Sequence, residues 1–317
     1  MNYSRRRILL TASALLAAYP FRHLLAKDKL PSLTEGSNFH YVYDNSLYKG
    51  EFKDFLTNVF RLYPEDEMHN LISTVTQKSS SDEAIYKALQ DKLGDIKPFL
   101  ADLTYSLPAL RQQKKVIAKQ TAQLLDNKEW YEGYLEIGST GRYLDTLEHK
   151  VKIRGERYYL SDLKPSYSIV DIMDRGQLLK GAKYIDLNNY KSRLTKSITK
   201  NSLDLVSVYI GFHHCPLELR GEFITSIRDS MKLGASLILR DHNVHNKKMW
   251  KMVALAHDVF NMGTKESWDY NNTELRLFYS LRELDEILVK FGFKTDGKQL
   301  YQEGDPTLNA LMHYKKV

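Results

Sequence analysis

The chain has 317 residues, 46 Lys plus Arg against 39 Asp plus Glu for a formal charge of +7, and 43% hydrophobic residues. With 27% of residues charged and no excess of Gly or Pro, the composition is globular, neither disordered nor fibrous, and long enough for one large domain or two smaller ones. A lone cysteine, Cys215, excludes an internal disulfide framework and any zinc site needing two thiolates.

The positive charge is concentrated at the start. Residues 1–30 carry Arg5, Arg6, Arg7, Arg22, Lys27 and Lys29 against Asp28, a local +5 that leaves +2 for the other 287 residues. So small a remainder gives no reason to expect nucleic-acid binding. The uncharged stretch Ile8–Tyr19 is too short to span a bilayer but has the length of a signal-peptide core. Ser4-Arg5-Arg6-Arg7-Ile8-Leu9-Leu10 resembles a twin-arginine signal, which routes an already folded protein across a bacterial inner membrane. The expectation is a leader over 1–30, leading to export or to inner-membrane association with membrane contact through those residues, and a cytoplasmic chain if the leader does not function.

From Pro31 to Asn127 the apolar spacing is helical, as in Ile85, Leu89 and Leu93 on one stripe. Ser80-Ser81-Asp82-Glu83 reads as a capping box for that helix, with the Ser80 hydroxyl and the Glu83 carboxylate each meeting a free backbone N–H. From Trp130 onward short apolar or β-branched runs alternate with helical stretches: Tyr134–Ile137, Tyr158–Leu160, Lys183–Leu187, Leu203–Ile210 and Ala235–Leu239. That alternation predicts an α/β domain with a mainly parallel sheet. The expected organisation is a leader at 1–30, a helical region at 31–127 and an α/β domain at 128–317.

The first of these strands ends in Glu136-Ile137-Gly138-Ser139-Thr140-Gly141, an acid followed by two glycines three apart before a predicted helix. Glycines at a strand's carboxyl end let a ligand approach the backbone where open α/β sheets bind their ligands. A dinucleotide fingerprint would want a fuller glycine set with its acid about 20 residues later. Here the acid precedes the first glycine. The arrangement resembles motif I of the class I S-adenosylmethionine-dependent methyltransferases, with Thr140 where that family usually has its second glycine. The resemblance continues in order to the C-terminus. Tyr158–Asp162 resembles the second strand, whose terminal acid binds the ribose hydroxyls, and Asp162 lies 26 residues past Glu136. Lys183-Tyr184-Ile185-Asp186-Leu187 resembles the third strand, where an acid and its neighbour meet the adenine. Leu203–His214 resembles the fourth, ending in His213-His214, and Met231–Asp241 the Leu-Lys-Pro-Gly-Gly turn with the fifth strand. A helix at Ser280–Phe291, then Gly292–Lys294 and Leu308–Tyr314, resemble the closing antiparallel hairpin.

The resemblance implies a Rossmann-like methyltransferase sheet, mostly parallel with an antiparallel last strand, behind an N-terminal helical region. It implies S-adenosylmethionine as cofactor, held by Glu136, Gly138, Ser139, Gly141, Asp162, Asp186 and Leu187, and in-line methyl transfer to a small-molecule acceptor. His213 and His214 are the candidate acid/base pair, since imidazole titrates near neutral pH. Each residue also has a plainer reading: Glu136 as a helix-capping acid, Asp162 and Asp186 as turn residues, the glycines as close-packing points. A metal set of His213, His214, Asp241 and His242 has suitable ligand chemistry but no tight His-x-x-x-His spacing, so no metal is expected. Cys215 as a nucleophile has no activating context in the sequence. Trp250, His257, Phe260, Trp268 and Tyr270, in the segment after the fifth strand, read either as an aromatic lid over the acceptor or as helix core. A non-catalytic binding protein of the same fold, and a nicotinamide-dependent oxidoreductase, are the competing classes.

Overall fold

The computed structural model describes residues 35–98, 105–126, 128–178 and 181–317, so the leader lies outside the described residues. Among the described residues no helix is long and apolar enough to cross a membrane. The N-terminal part is helical: α1 (Asn38–Tyr43), α2 (Ser46–Phe55) running into a π-helical turn (Leu56–Phe60), α3 (Glu65–Thr76), α4 (Asp82–Ile96) and α5 (Leu107–Leu124). Helix α4 is capped one residue later than the sequence suggests. Ser81, not Ser80, accepts from the Ala84 N–H at 3.3 Å, and Glu83 pairs instead with Lys87. Asp82 is drawn away to the start of α1, where its carboxylate accepts from the Asn38 N–H at 2.8 Å and from the Ser37 hydroxyl. A complete capping box occurs elsewhere, between Ser280 and Glu283.

The remaining chain alternates strands and helices as the spacing predicts: β1 (Tyr131–Ile137), α6 (Leu144–Glu148), β2 (Ile153–Ser161), α7 (Ile169–Arg175), β3 (Lys183–Asp186), β4 (Leu203–Val208), α8 (Leu217–Ser230), β5 (Met231–His242), α9 (Lys247–Gly263), α10 (Trp268–Thr273), α11 (Leu281–Lys290), β6 (Phe293–Tyr301) and β7 (Asn309–Lys316). Seven strands form one sheet in the order β3-β2-β1-β4-β5-β7-β6. Strands β1 to β5 are parallel to one another, and β7 runs antiparallel to both β5 and β6. This is a Rossmann-like sheet of the methyltransferase type. Its order reverses between β1 and β4, which opens a crevice at their carboxyl ends.

Period-two alternation sorts the strand side chains between two faces. Leu135, Ile137, Val206, Val208, Leu237 and Leu239 join α8 and α11 through Phe223, Ile227, Leu284 and Leu288 in one buried cluster. Tyr134, Tyr159, Leu205, Ile238 and Leu311 take the other face, under Ile117 and Ala118 of α5 and Leu144 and Leu147 of α6. Both faces are covered, which is why these strands read as nearly continuous apolar runs. A third cluster belongs to the helices. Phe39, Phe52, Phe60, Ile72 and Leu89 pack with Met252, Leu255, Val259 and Met262 of α9. Helix α9 thus joins the N-terminal helices to the carboxyl end of β5; of the aromatic residues after β5, Trp268 packs against this helical cluster, Trp250 packs with Val253 and Phe278, and Phe260 is exposed.

Candidate functional site

The turn after β1 is assembled around a buried carboxylate. Glu136 is fully buried, on the α5/α6 face of the sheet, opposite Tyr159 of β2 and Ser207 of β4. It accepts from the Tyr143 N–H at 3.2 Å, from the Tyr134 hydroxyl at 3.3 Å and from the Ser139 hydroxyl. Burial pushes its carboxyl up, and these donors oppose that rise. Gly138 and Gly141 both have left-handed φ, 85° and 84°. A Cβ on Gly138 would stand 2.1 Å from the Ile210 carbonyl oxygen, and one on Gly141 would stand 2.5 Å from the Tyr159 ring. The protein itself packs the side of each glycine where a side chain would project, so the fold requires glycine at both positions.

At the neighbouring strand ends, Asp162 follows β2 and Asp186 ends β3, both exposed and adjacent through the Ser161–Asp186 register. Asp186 accepts from the Asn188 N–H at 2.8 Å and so starts the turn in which Asn188, Asn189 and Tyr190 all have positive φ. Leu187 is buried in the sheet core, and its backbone is engaged within the fold: its N–H donates to the Ser161 carbonyl at 3.1 Å and its carbonyl accepts from the Ser192 N–H at 3.4 Å.

Three groups beside this turn carry no motif signature. Arg175, at the end of α7, is fully buried; its Nη2 donates to the Ser166 carbonyl at 2.7 Å, while Nε and Nη1 have no hydrogen-bond partner among the described residues. Lys114 of α5, equally buried, donates to the Arg175 carbonyl at 3.1 Å and to Gln177, and pairs with Asp145 at 3.3 Å. Gln177 in turn donates to the Gly141 carbonyl at 2.8 Å. Gln177 and Lys114 also line a cleft of about 790 Å³, made positive by Arg111, Lys115, Lys119 and Lys150.

The other half of the crevice lies past β4 and β5. Only two residues separate Ile210, which crowds Gly138, from His213 on a short 3₁₀ turn (Phe212–His214). His213 Nδ1 bonds Asp241 Oδ1 at 2.8 Å, His214 Nδ1 bonds the Leu275 carbonyl at 2.7 Å, and His242 Nδ1 bonds the Thr307 carbonyl at 3.1 Å. His257 of α9 enters the same cluster, its ring centroid 5.0 Å from that of His213 and 5.5 Å from that of His214, with its Nδ1 3.5 Å from Glu274. Phe278 packs against His213 and His257 at 5.4 and 5.2 Å. Glu274 is itself held by Arg276, which also pairs with Asp258 at 2.7 Å.

Burial lowers His214 and His242 to about 4 and His257 well below the ordinary imidazole value, so all three are neutral at pH 7. Asp241 is held below the usual carboxylate range against its own burial, chiefly by His213. Cys215 is buried, and burial pushes its thiol up to about 12; a thiol held protonated this way is no nucleophile at neutral pH.

The structure therefore gathers Glu136, Gly138, Ser139 and Gly141 in one turn and sets Asp162 and Asp186 at the next two strand ends. His213 and His214 lie across the crevice. His257 and Glu274 complete their cluster although no spacing in the sequence joins them to it. A tertiary contact alone does so, because α9 returns over the end of β5.

No protein-family model matches the chain, and no curated protein matches it by sequence. Among solved structures it is similar to the CurJ carbon methyltransferase, at 12% identity over 80% of this chain and 67% of that one, with a TM-score of 0.44. It is also similar to an O-methyltransferase family 2 protein from Planctomyces limnophilus in complex with apigenin, at 11% identity over 78% and 69% of the two chains, TM-score 0.47. A third is a putative methyltransferase from Haloferax volcanii in complex with the Trm112 activator, at 13% identity over 66% and 93%, TM-score 0.45. The fold assignment rests on the strand order itself, and activity has to be argued from the site.

Proposed function

We propose that the chain is an S-adenosylmethionine-dependent methyltransferase acting on a small-molecule acceptor. One observation carries the reading: an acid–glycine turn closes β1 at the reversal of the β3-β2-β1-β4-β5-β7-β6 sheet, with an acid at each of the next two strand ends. The residues fit the cofactor in their chemistry. Asp162 and Asp186 are exposed carboxylates, each able to accept two hydroxyl hydrogen bonds, as a ribose and its neighbouring groups require. The unpartnered Nε and Nη1 of Arg175 are donors suited to the amino-acid carboxylate of the cofactor. When bound, S-adenosylmethionine supplies a methyl group already activated on a sulfonium.

The chain's own contribution is then orientation and one proton transfer. Glu136 ties the glycine turn through Tyr143 and Ser139, which keeps the crevice rigid and aids near-attack positioning. Asp241 fixes the ring of His213 by accepting from Nδ1, leaving the Nε2 lone pair to take a proton from an acceptor that arrives protonated. His214, neutral at pH 7, is the second candidate base. A leader over 1–30 fits this function either by retention at the inner membrane facing the cytoplasm or by export of the folded, cofactor-loaded chain.

A non-catalytic binding protein of the same fold is the second reading. The packing of Ile210 against Gly138 and of Tyr159 against Gly141 favours it, because those glycines are already used by the fold. Calorimetric titration with S-adenosylhomocysteine decides the cofactor question. Wild type binds, and Asp162→Ala binds about 10- to 150-fold more weakly, the loss of an ionic hydrogen bond of roughly 1.5–3 kcal/mol. No binding by wild type removes the cofactor; unchanged affinity in the variant removes Asp162 from the ribose role. Binding without turnover of any acceptor supports the second reading.

A further inference from the structure

We infer that His213, His214 and His257 form a binding site for a divalent first-row transition ion, with Zn²⁺ as the natural probe. One ring nitrogen from each of the three residues lies within 4.8 Å of those of the other two. An ion bound to imidazoles at ~2.0–2.1 Å in tetrahedral geometry would bring the nitrogens to about 3.3 Å apart, so binding draws the three rings closer together. The donor set is imidazole only, which suits zinc and its neighbours rather than Mg²⁺ or Ca²⁺.

The hydrogen bonds around the rings support the same assignment. His213 and His214 commit Nδ1 to an oxygen, Asp241 and the Leu275 carbonyl respectively, and His257 Nδ1 faces Glu274. Such outer oxygens fix the tautomer and leave Nε2 as the ligand atom. His213 supplies an independent sign. The residue is 7% exposed, and its Nε2 is buried with no hydrogen-bond partner among the described residues. An unmet polar atom inside a buried cluster of imidazoles costs free energy that an ion would relieve. Three protein ligands leave a fourth position, as zinc sites with an open coordination place do. Phe278 and, behind it, Trp250 bound the cluster on an apolar side.

His242 stays outside the ligand set, with Nδ1 on the Thr307 carbonyl and Nε2 3.5 Å from the Asn309 amide. The set therefore differs from the one the sequence offered: His257 takes the place of His242, and Asp241 serves as the partner of a ligand. This assignment does not rest on methyl transfer. An ion would take the Nε2 lone pair of His213 that otherwise acts as a base, so the two uses make different predictions for a metal-stripped chain.

The test uses the full chain without an affinity tag, stripped with a chelator and dialysed. Zn²⁺ is added and bound metal is counted by mass spectrometry, and Co²⁺ is added separately as an optical probe. Expected are about one ion per chain, Co²⁺ ligand-field bands of a tetrahedral or five-coordinate imidazole site, and a Zn²⁺-dependent rise in melting temperature. His257→Gln and His213→Asn lose stoichiometric binding, Asp241→Asn binds about 10- to 100-fold more weakly, and His245→Gln, an exposed histidine nearby, binds as wild type. Substoichiometric metal in wild type, or equal binding in His257→Gln and wild type, overturns the site. If the variants do not fold, the wild-type Co²⁺ spectrum and thermal shift decide, and absence of both overturns it. Metal stoichiometry is read without any methyl acceptor, so failure of the methyltransferase reading leaves this result distinct.

Discussion

The two halves of the crevice meet at Ile210 and are built on opposite terms. Around β1 the one buried acid is well supplied with donors: Glu136 has three, and the two glycines are locked by backbone and ring contacts. Around the ends of β4 and β5, four imidazoles crowd together, three of them neutral by burial, and one buried nitrogen has no partner. The motif-bearing half commits its acceptors to holding a turn, and the buried groups beside it without partners among the described residues are donors, Nε and Nη1 of Arg175. The half without a motif keeps lone pairs in reserve, and reserve capacity of that kind marks a place for chemistry or for an ion.

The comparison can be broken first at Gly138. Gly138→Ala combines a left-handed φ with overlap on a backbone oxygen that cannot move alone, so a loss of at least about 4 kcal/mol is expected in urea unfolding. A loss under about 1 kcal/mol would mean the turn is not locked as described.

Acid titration addresses the other half. In metal-free protein His214 titrates near 4 in the folded state against about 6.5 unfolded. Between those values the unfolded chain binds more protons, so stability is present above about pH 6.5 and is lost as pH falls toward 4. The loss is on the order of 3 kcal/mol for His214 alone, with His242 and His257 adding in the same direction. Asp241 and Glu274, both held below the usual carboxylate range, add a further loss at still lower pH. Melting temperatures flat from pH 7 to 5 in the presence of a chelator would contradict neutral burial of this cluster.

Gly141→Ala sharpens the contrast within the first half. Its Cβ would overlap the buried Tyr159 ring, a side chain rather than backbone, so a loss of about 2–3 kcal/mol is expected, smaller than at Gly138. Asp186→Asn should be nearly silent in stability, within about 0.5 kcal/mol, because an asparagine oxygen accepts the same bond from the Asn188 N–H. Its effect should appear in cofactor titration instead, and a large stability loss would make Asp186 a fold residue only.

Much of the sheet half was legible before any coordinates. Apolar runs such as Leu203–Val208 and Ala235–Leu239 are the two-face-buried strands they read as, because covering both sides of a strand favours apolar residues at most positions, and the buried polar residues within them, Ser207 and Ser236, are hydrogen-bonded to Tyr134 and His313. The cap of α4 lies one residue beyond the place that the local pattern gives it, and Asp82 has a tertiary partner at the start of α1, a contact no local pattern contains. Arg175 and Lys114 were invisible for the same reason, since a basic residue in a helical stretch reads as surface until packing buries it.

By itself the sequence determined the order of elements and the turn after β1, because strand periodicity, the acid before the glycines and the glycines themselves are neighbours along the chain. The polar economy of the crevice was decided only in three dimensions. His257 lies 43 residues beyond His214 and faces it because α9, anchored on the N-terminal helices through Met252, Leu255 and Val259, crosses the carboxyl end of the sheet. Burial then stripped these imidazoles of water and charge, and desolvation of that kind is a property of the packed fold.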